Sequence, residues 1–146
     1  MNMEIAIREA MFDDAEDVAL LIAQLGYPAN SEFVSCKLGE LWAMSYAFVL
    51  VAEKEGEILG VLSFNSELAF HKEGRIGTIT ALSIRDDRRG QGIGKQIVKA
   101  CEARAREEGC YRIAVASGMQ RSDAHRFYLG LGYSEKTRRF VKDFDE

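Results

Sequence analysis

Hydrophobic positions along the chain follow two rhythms, one of period two and one of three to four. Ile5 and Ile7 alternate with polar neighbours and predict a short strand. Ala15, Val18, Leu21, Ile22 and Leu25 then recur at helical spacing. Asp13 or Asp14 can cap that helix, and Gly26 and Pro28 end it. Ser31 can cap a second helix with Val34, Leu38 and Leu41 on one face. Ala47 to Glu53 is rich in β-formers, Lys54-Glu55-Gly56-Glu57 reads as a turn, and Ile58 to Phe64 returns as the hairpin partner. Arg75 to Ile84 predicts a longer central strand. Past a glycine-rich segment, Ile93, Ile97, Ala100, Cys101, Arg104 and Ala105 trace an amphipathic helix that Gly109 stops. Tyr111 to Ser117 predicts a strand, and Ser122 to Leu129 a short helix. Tyr133 to Lys136 and Arg138 to Phe144 predict closing strands. This order predicts an α/β domain of the α+β type, with helices against a mixed, mostly antiparallel central sheet.

Composition narrows the class. A length of 146 residues suits a single domain, 1–146, and 47% hydrophobic with 29% charged residues is ordinary for a soluble globular chain. No stretch approaches the roughly 20 consecutive apolar residues of a membrane span. Met1-Asn2-Met3-Glu4-Ile5 lacks the basic start of a signal peptide, so a cytoplasmic protein without membrane partners is expected. Cys36, Cys101 and Cys110 are odd in number and widely spaced, which predicts reduced thiols and no metal site. The net charge of −4 argues against a nucleic-acid partner. The charge is uneven, however: residues 85–99 carry five basic and two acidic side chains, a local +3. A basic patch on an acidic chain suits a small polyanion.

That patch contains Arg88-Arg89-Gly90-Gln91-Gly92-Ile93-Gly94-Lys95, between a predicted strand and a predicted helix. A helix start offers free backbone N–H groups and partial positive charge, and glycines let an anion approach them. Strand, glycine turn and helix together make a phosphate site, to which Arg89 and Lys95 add charge. A Walker A loop fails, because Gln96 follows Gly94-Lys95 and Arg89 stands where the first glycine belongs. A dinucleotide fingerprint also fails, because Gly94 comes one residue too soon after Gly90-Gln91-Gly92. A flexible loop without a ligand is the bland alternative.

The third spacing, Arg89-Gly90-Gln91-Gly92-Ile93-Gly94, resembles the pyrophosphate loop of the GNAT superfamily of N-acetyltransferases. The preceding Ala81-Leu82-Ser83-Ile84-Arg85-Asp86-Asp87-Arg88 resembles the family's strand into that loop. Asp123-Ala124-His125-Arg126-Phe127-Tyr128-Leu129-Gly130-Leu131-Gly132-Tyr133 resembles its later helix and turn. The resemblance implies a central sheet of about seven strands, splayed near the cofactor and flanked by about four helices. It implies acetyl-CoA as acetyl donor. Leu82, Ser83 and Ile84 would hold the pantetheine arm by backbone. Arg89, Gly90, Gln91, Gly92, Ile93, Gly94 and Lys95 would hold the pyrophosphate. Tyr128 would contact the cofactor and supply a proton to the departing thiolate.

The resemblance also implies direct attack by an amine, which arrives protonated because a free alkylamine has a pKa of about 10. Many members carry a glutamate on the central strand; here Thr78, Thr80 and Ala81 occupy the candidate positions. Deprotonation then falls to ordered water and backbone, or to Glu67, His71 or Glu73 from the preceding loop. His71 is the leading single candidate, since imidazole titrates near neutral pH. Gly118 replaces an asparagine that touches the cofactor in many members, leaving that contact to Ser117 or to backbone.

Within the superfamily, Arg121 to Leu129 and Arg138-Arg139-Phe140 are most similar to the small-molecule branch, and closest to aminoalkylphosphonate N-acetyltransferases. Thr78 and Ala81 replace that branch's acidic central-strand residues. The expected reaction moves an acetyl group from acetyl-CoA to a primary amine of a small molecule. Acetylation of a protein or peptide N-terminus and a non-catalytic CoA-binding module are the other function classes. The acceptor pocket would draw on Leu25-Gly26-Tyr27 through Trp42, the Glu67–Arg75 loop and the closing strands, with Trp42, Tyr46 and Phe70 as lining candidates. Pairing of Arg138 to Phe144 across chains would give a homodimer.

Overall fold

The structure, a computed structural model, describes residues 4–115, 122–136 and 139–144. The chain divides into two compact units, residues 1–116 and 117–146.

The first unit holds β1 (Ala6–Glu9), α1 (Ala15–Gln24), α2 (Ser31–Trp42), β2 (Ala47–Lys54), β3 (Glu57–Leu68), β4 (Arg75–Ile84), α3 (Ile93–Glu107) and β5 (Cys110–Val115). The strands form one sheet in the order β1-β2-β3-β4-β5. The first four are antiparallel and β5 runs parallel to β4. Parallel neighbours need a crossover, and α3 supplies it.

β2 is buried on both faces, as its apolar run Phe48-Val49-Leu50-Val51-Ala52 requires. Val49, Val51 and Val61 join Val18, Leu21, Val34 and Leu38 in one core, so α1 and α2 cover that face. The opposite face carries Phe48 stacked on Phe64 at 4.6 Å. Arg104 of α3 lies over the Phe48 ring at 4.2 Å, and the buried stripe Ile93, Ile97, Val98, Cys101 and Ala105 places α3 on this side. Burial pushes the Cys101 thiol up to about 12, consistent with an inert packing role.

The helix entries differ from expectation in detail. Asn30, not Ser31, caps α2: it is extended, and its Oδ1 accepts the Phe33 N–H at 2.8 Å. Ser31 is already the first helical residue, too late to reach back. Asp14 makes no cap bond to α1. It is buried, accepts the Met11 N–H at 2.7 Å, and takes two bonds from Arg8 at 2.8 and 3.0 Å. Arg8 also reaches Glu53 at 2.7 Å, tying β1, β2 and the entry to α1 together. The Arg8 guanidinium holds the Asp14 carboxyl below the usual carboxylate range.

In the second unit, α4 spans Ser122–Gly130. Residues 133–136 and 139–144 are not strands, so the sheet of the described residues has five strands rather than about seven. Phe140, Val141 and Phe144 are exposed. Their β-forming character is a preference; a strand also needs a partner edge.

Candidate active site

β4 ends at Ile84, a 3-10 turn spans Asp86–Arg88, and α3 begins at Ile93. Gly90 and Gly92 have φ of 82° and 81°, a left-handed conformation that side chains resist. Gly92 is the N-cap of α3, and its carbonyl accepts the Gln96 N–H at 3.1 Å. The N–H groups of the first helical turn therefore face outward without intrahelical partners. Ile93, 1% exposed, anchors this start against the sheet. The arrangement is an anion cradle, with the positive end of a 15-residue helix behind it.

The basic patch is partly compensated. Arg85 holds Glu57 and Asp87, each at 2.8 Å, and Arg88 stands 3.7 Å from Glu57. Arg89 pairs with Asp86 at 3.0 Å, but both side chains are exposed. Such a surface pair is worth about 0–1 kcal/mol, so Arg89 can exchange Asp86 for a phosphate. Lys95 is exposed on the first turn of α3.

Pairing of β4 with β3 continues to Ile84, whereas pairing with β5 is recorded only from Arg75↔Cys110 to Ile79↔Val115. Past Ile79, the last residue described as paired with β5, the β3–β4 register shifts. Ser63 pairs with Ala81 and Phe64 with Ile79, leaving Thr80 as an extra residue in a bulge. Beyond it, the Arg85 N–H donates to Leu59 of β3 at 2.8 Å. The C=O and N–H of a trans peptide point opposite ways, so the Ile84 carbonyl points away from β3. By the alternation of an antiparallel ladder, the backbone of Leu82 and the N–H of Ile84 share that outer edge, and the Ser83 backbone points at β3. Among the described residues no strand pairs with this edge. Of the three residues expected to offer backbone, geometry favours Leu82 and Ile84. The Ser83 hydroxyl is buried and donates to the Leu21 carbonyl at 2.8 Å.

The structure does not bring His71 to this region. His71 is exposed in the loop between β3 and β4, beyond the Arg75 end of β4. The ten residues of β4 span about 30 Å at roughly 3.3 Å each, so His71 lies at the far end from the glycine turn. Glu67 is not in the loop as expected but near the end of β3, opposite Ile76 and on the same sheet face as Asn65 and Thr78. Glu73 stays in the loop, exposed. Among the pocket candidates, Trp42 packs edge-on against Phe12 at 4.5 Å and Tyr46 lies under Arg75 at 3.5 Å, while Phe70 is bare.

Tyr128 belongs to the second unit, near the end of α4. Its ring contacts Phe127 and Tyr133 edge-on at 5.0 and 5.6 Å. Its carbonyl accepts the Leu131 and Tyr133 N–H groups at 3.0 Å each, which closes the helix before Gly132. Ser117 and Gly118 lie outside the described residues.

One polar residue was not legible as functional. Gln24 ends α1, three residues after the buried Leu21, and is half-buried. Its Nε2 donates to Ser83 Oγ and to the Ile84 carbonyl, each at 3.0 Å, and its Oε1 accepts the Asp86 N–H at 2.9 Å. The one sequence signal is a glutamine that continues the inward stripe of an amphipathic helix.

Residues 12–133 match the Acetyltransferase (GNAT) family. The chain is 30% identical over 141 residues to the aminoalkylphosphonate N-acetyltransferase of Salmonella typhimurium strain LT2, covering 93% of this chain and 89% of that protein. Among solved structures it resembles a Bacillus halodurans C-125 protein described as a transcriptional regulator. The TM-score is 0.87 at 27% identity, over 97% of this chain and 100% of the other. It also resembles a GNAT family acetyltransferase of Staphylococcus aureus, with a TM-score of 0.81 at 26% identity over 97% and 100% of the two chains.

Proposed function

This chain belongs to the GNAT acetyltransferase family and is an acyl-CoA-dependent N-acetyltransferase, and we propose that its acceptor is the primary amine of a small molecule. The observation that carries the acceptor class is the match to an aminoalkylphosphonate N-acetyltransferase along nearly the whole of both chains. The phosphonate itself is not part of the proposal, because the resemblance implies acidic central-strand residues for that branch where this chain has Thr78 and Ala81.

When bound, acetyl-CoA supplies the acetyl thioester. The cradle at Gly90 to Lys95 fits its pyrophosphate in charge and in backbone donors. Arg89 and Lys95 complement the anion from either side of the turn. The free edge of β4 at Leu82 and Ile84 fits an extended amide-bearing arm, which would pair with it as a strand does. An N–H on that edge would also steady negative charge on the acetyl oxygen. Tyr128 is assigned as the residue whose phenol carries a proton to the sulfur, supported by the resemblance of Asp123–Tyr133 to the family's later helix.

No carboxylate or imidazole on β4 can take the proton of the amine; Thr78, Thr80 and Ala81 have none to offer. We assign deprotonation to water beside the bulge at Thr80, in preference to Glu67 near the end of β3 and to His71 and Glu73 in the loop before β4.

A thiol-release assay over small primary amines, aminophosphonates and short peptides tests the acceptor class. Turnover confined to peptides would overturn it, and tight acetyl-CoA binding without turnover would point to a binding module. The water assignment expects kcat/KM to climb with pH until the amine's own pKa of about 10. A plateau set by an enzyme group near neutral pH would refute it. Tyr128→Phe is expected to lower turnover at saturating substrate with little change in melting temperature; unchanged turnover would remove the acid role.

A further inference from the structure

We infer that Gln24 is a positioning residue for the acetyl donor, fixing the free end of β4 and Asp86, the first residue of the 3-10 turn that leads into the glycine turn, in one hydrogen-bonded unit. The inference rests on the reading of that edge and turn as the donor site. It adds a residue from outside both motifs.

The geometry is specific. A primary amide offers two donor hydrogens and one acceptor oxygen. Here Nε2 meets Ser83 Oγ and the Ile84 carbonyl, and Oε1 meets the Asp86 N–H. The three partners fall within four consecutive residues, at the point where β4 passes into the turn. The Ser83 hydroxyl gives its own proton to Leu21, so its oxygen is left to accept from Gln24. Both bonds tie the segment to the last turn of α1.

The position matters because no second strand pairs with β4 there among the described residues. Beyond Ile79, among the described residues, the strand pairs on one side only, with β3. The Ile84 carbonyl points to the open edge, and Gln24 caps it. The open edge then presents Leu82 N–H and C=O and Ile84 N–H. Without the cap, a strand end held on one side and followed by exposed turn residues would sample several edge geometries. Part of the donor's binding free energy would then go into ordering it. Gln24 also stands immediately before Leu25-Gly26-Tyr27, the segment expected to border the acceptor.

Two substitutions separate positioning from general bracing. Gln24→Met keeps length and removes all three bonds. Gln24→Glu keeps an acceptor for the Asp86 N–H but turns an oxygen toward the Ile84 carbonyl and the Ser83 oxygen. Acetyl-CoA affinity is measured by calorimetry, steady-state constants by thiol release, and amide exchange by mass spectrometry. In both variants the Kd and KM for acetyl-CoA should rise about tenfold, with kcat and the amine KM within about twofold. Exchange should quicken across residues 82–94 and stay unchanged in β2 and α2.

A lower melting temperature with unchanged acetyl-CoA Kd and KM would make Gln24 a plain structural brace and overturn the inference. Exchange that quickens equally throughout the chain would do the same. If the wild-type chain fails to bind acetyl-CoA, the reading beneath falls and takes this inference with it, before any variant is compared. Tight wild-type binding with unaltered variants overturns the inference alone.

Discussion

Alanine at Gly92 and at Gly109 offers a matched pair of perturbations. Both glycines flank α3, one at each end, with φ of 81° and 88°. At both, an added Cβ meets nothing within 4 Å, so alanine clashes with no neighbour and its cost is conformational. A left-handed L-residue costs about 1–2 kcal/mol. What differs is where that cost is felt. The Gly109 carbonyl accepts the Arg75 N–H at 3.0 Å, and its N–H reaches Arg106 at 3.1 Å, so the chain is locked between α3 and β4. Gly109→Ala should therefore lower folding stability by about 1–2 kcal/mol, a few degrees of melting temperature, and leave acetyl-CoA affinity alone. Gly90, Gln91 and Gly92 are all exposed, and the bond at Gly92 is the one its carbonyl accepts from Gln96 within α3, so the turn ahead of it has more room to relax than the chain at Gly109. Gly92→Ala should lose less stability, because the free turn escapes the strain. The bound turn must restore the left-handed conformation, so the Kd for acetyl-CoA should rise about 5- to 30-fold. Urea unfolding and calorimetry on the two variants decide the matter. A full stability loss at Gly92 with unchanged Kd, or equal Kd changes at both sites, would refute the reasoning.

Three further outcomes follow from the geometry. Asp14 has a depressed pKa, so its contribution to stability is present above its unfolded value of about 4 and is lost as pH falls through and below it. Asp14→Asn should therefore cost about 2 kcal/mol at pH 7 and flatten the decline of stability below about pH 4; parallel urea midpoints for wild type and variant from pH 7 to pH 3 would contradict this. Gly77→Ala would set a Cβ 2.5 and 2.6 Å from ring carbons of the buried Phe64. It should cost about 1–3 kcal/mol in urea unfolding and be partly rescued by Phe64→Leu; a loss below about 0.5 kcal/mol would mean that the ring has room to shift. His71→Ala should leave kcat and the pH profile unchanged, because the loop lies at the far end of β4; a tenfold fall in kcat would restore His71 as a candidate base.

The element order was legible because it rests on local rules. The period-two and period-three-to-four patterns located β2, β4 and α3 almost to the residue, and Arg75–Ile84 was read with its observed limits. The glycine turn was equally local: its spacing excluded two other phosphate loops, and Gly90 and Gly92 take the left-handed conformation that such a turn uses. The closing strands were misread because the β-forming character of Phe140, Val141 and Phe144 states a preference and cannot supply a partner edge. The cap of α2 moved by one residue, since Ser and Asn are both good caps and only backbone direction chooses between them.

What the tertiary structure alone decided is which distant residues meet. No periodicity foretells that Thr80 is the extra residue of a bulge, since that depends on how β3 pairs across from it. None foretells that Glu57, outside residues 85–99, pairs with Arg85 and stands 3.7 Å from Arg88, drawing off part of the charge that made the segment look basic. His71 and the glycine turn are eighteen residues or more apart in sequence, and only the direction of β4 between them shows that they sit at opposite ends. Gln24 and Ser83 are 59 residues apart, and their bond exists because α1 packs its last turn against the end of β4. By itself the sequence determined the local elements and the phosphate cradle, because backbone conformation answers to neighbouring residues. The open strand edge, the compensation of charge and the brace on the turn needed the packed fold, because hydrogen bonds and ion pairs between separate segments form only after packing brings them within reach.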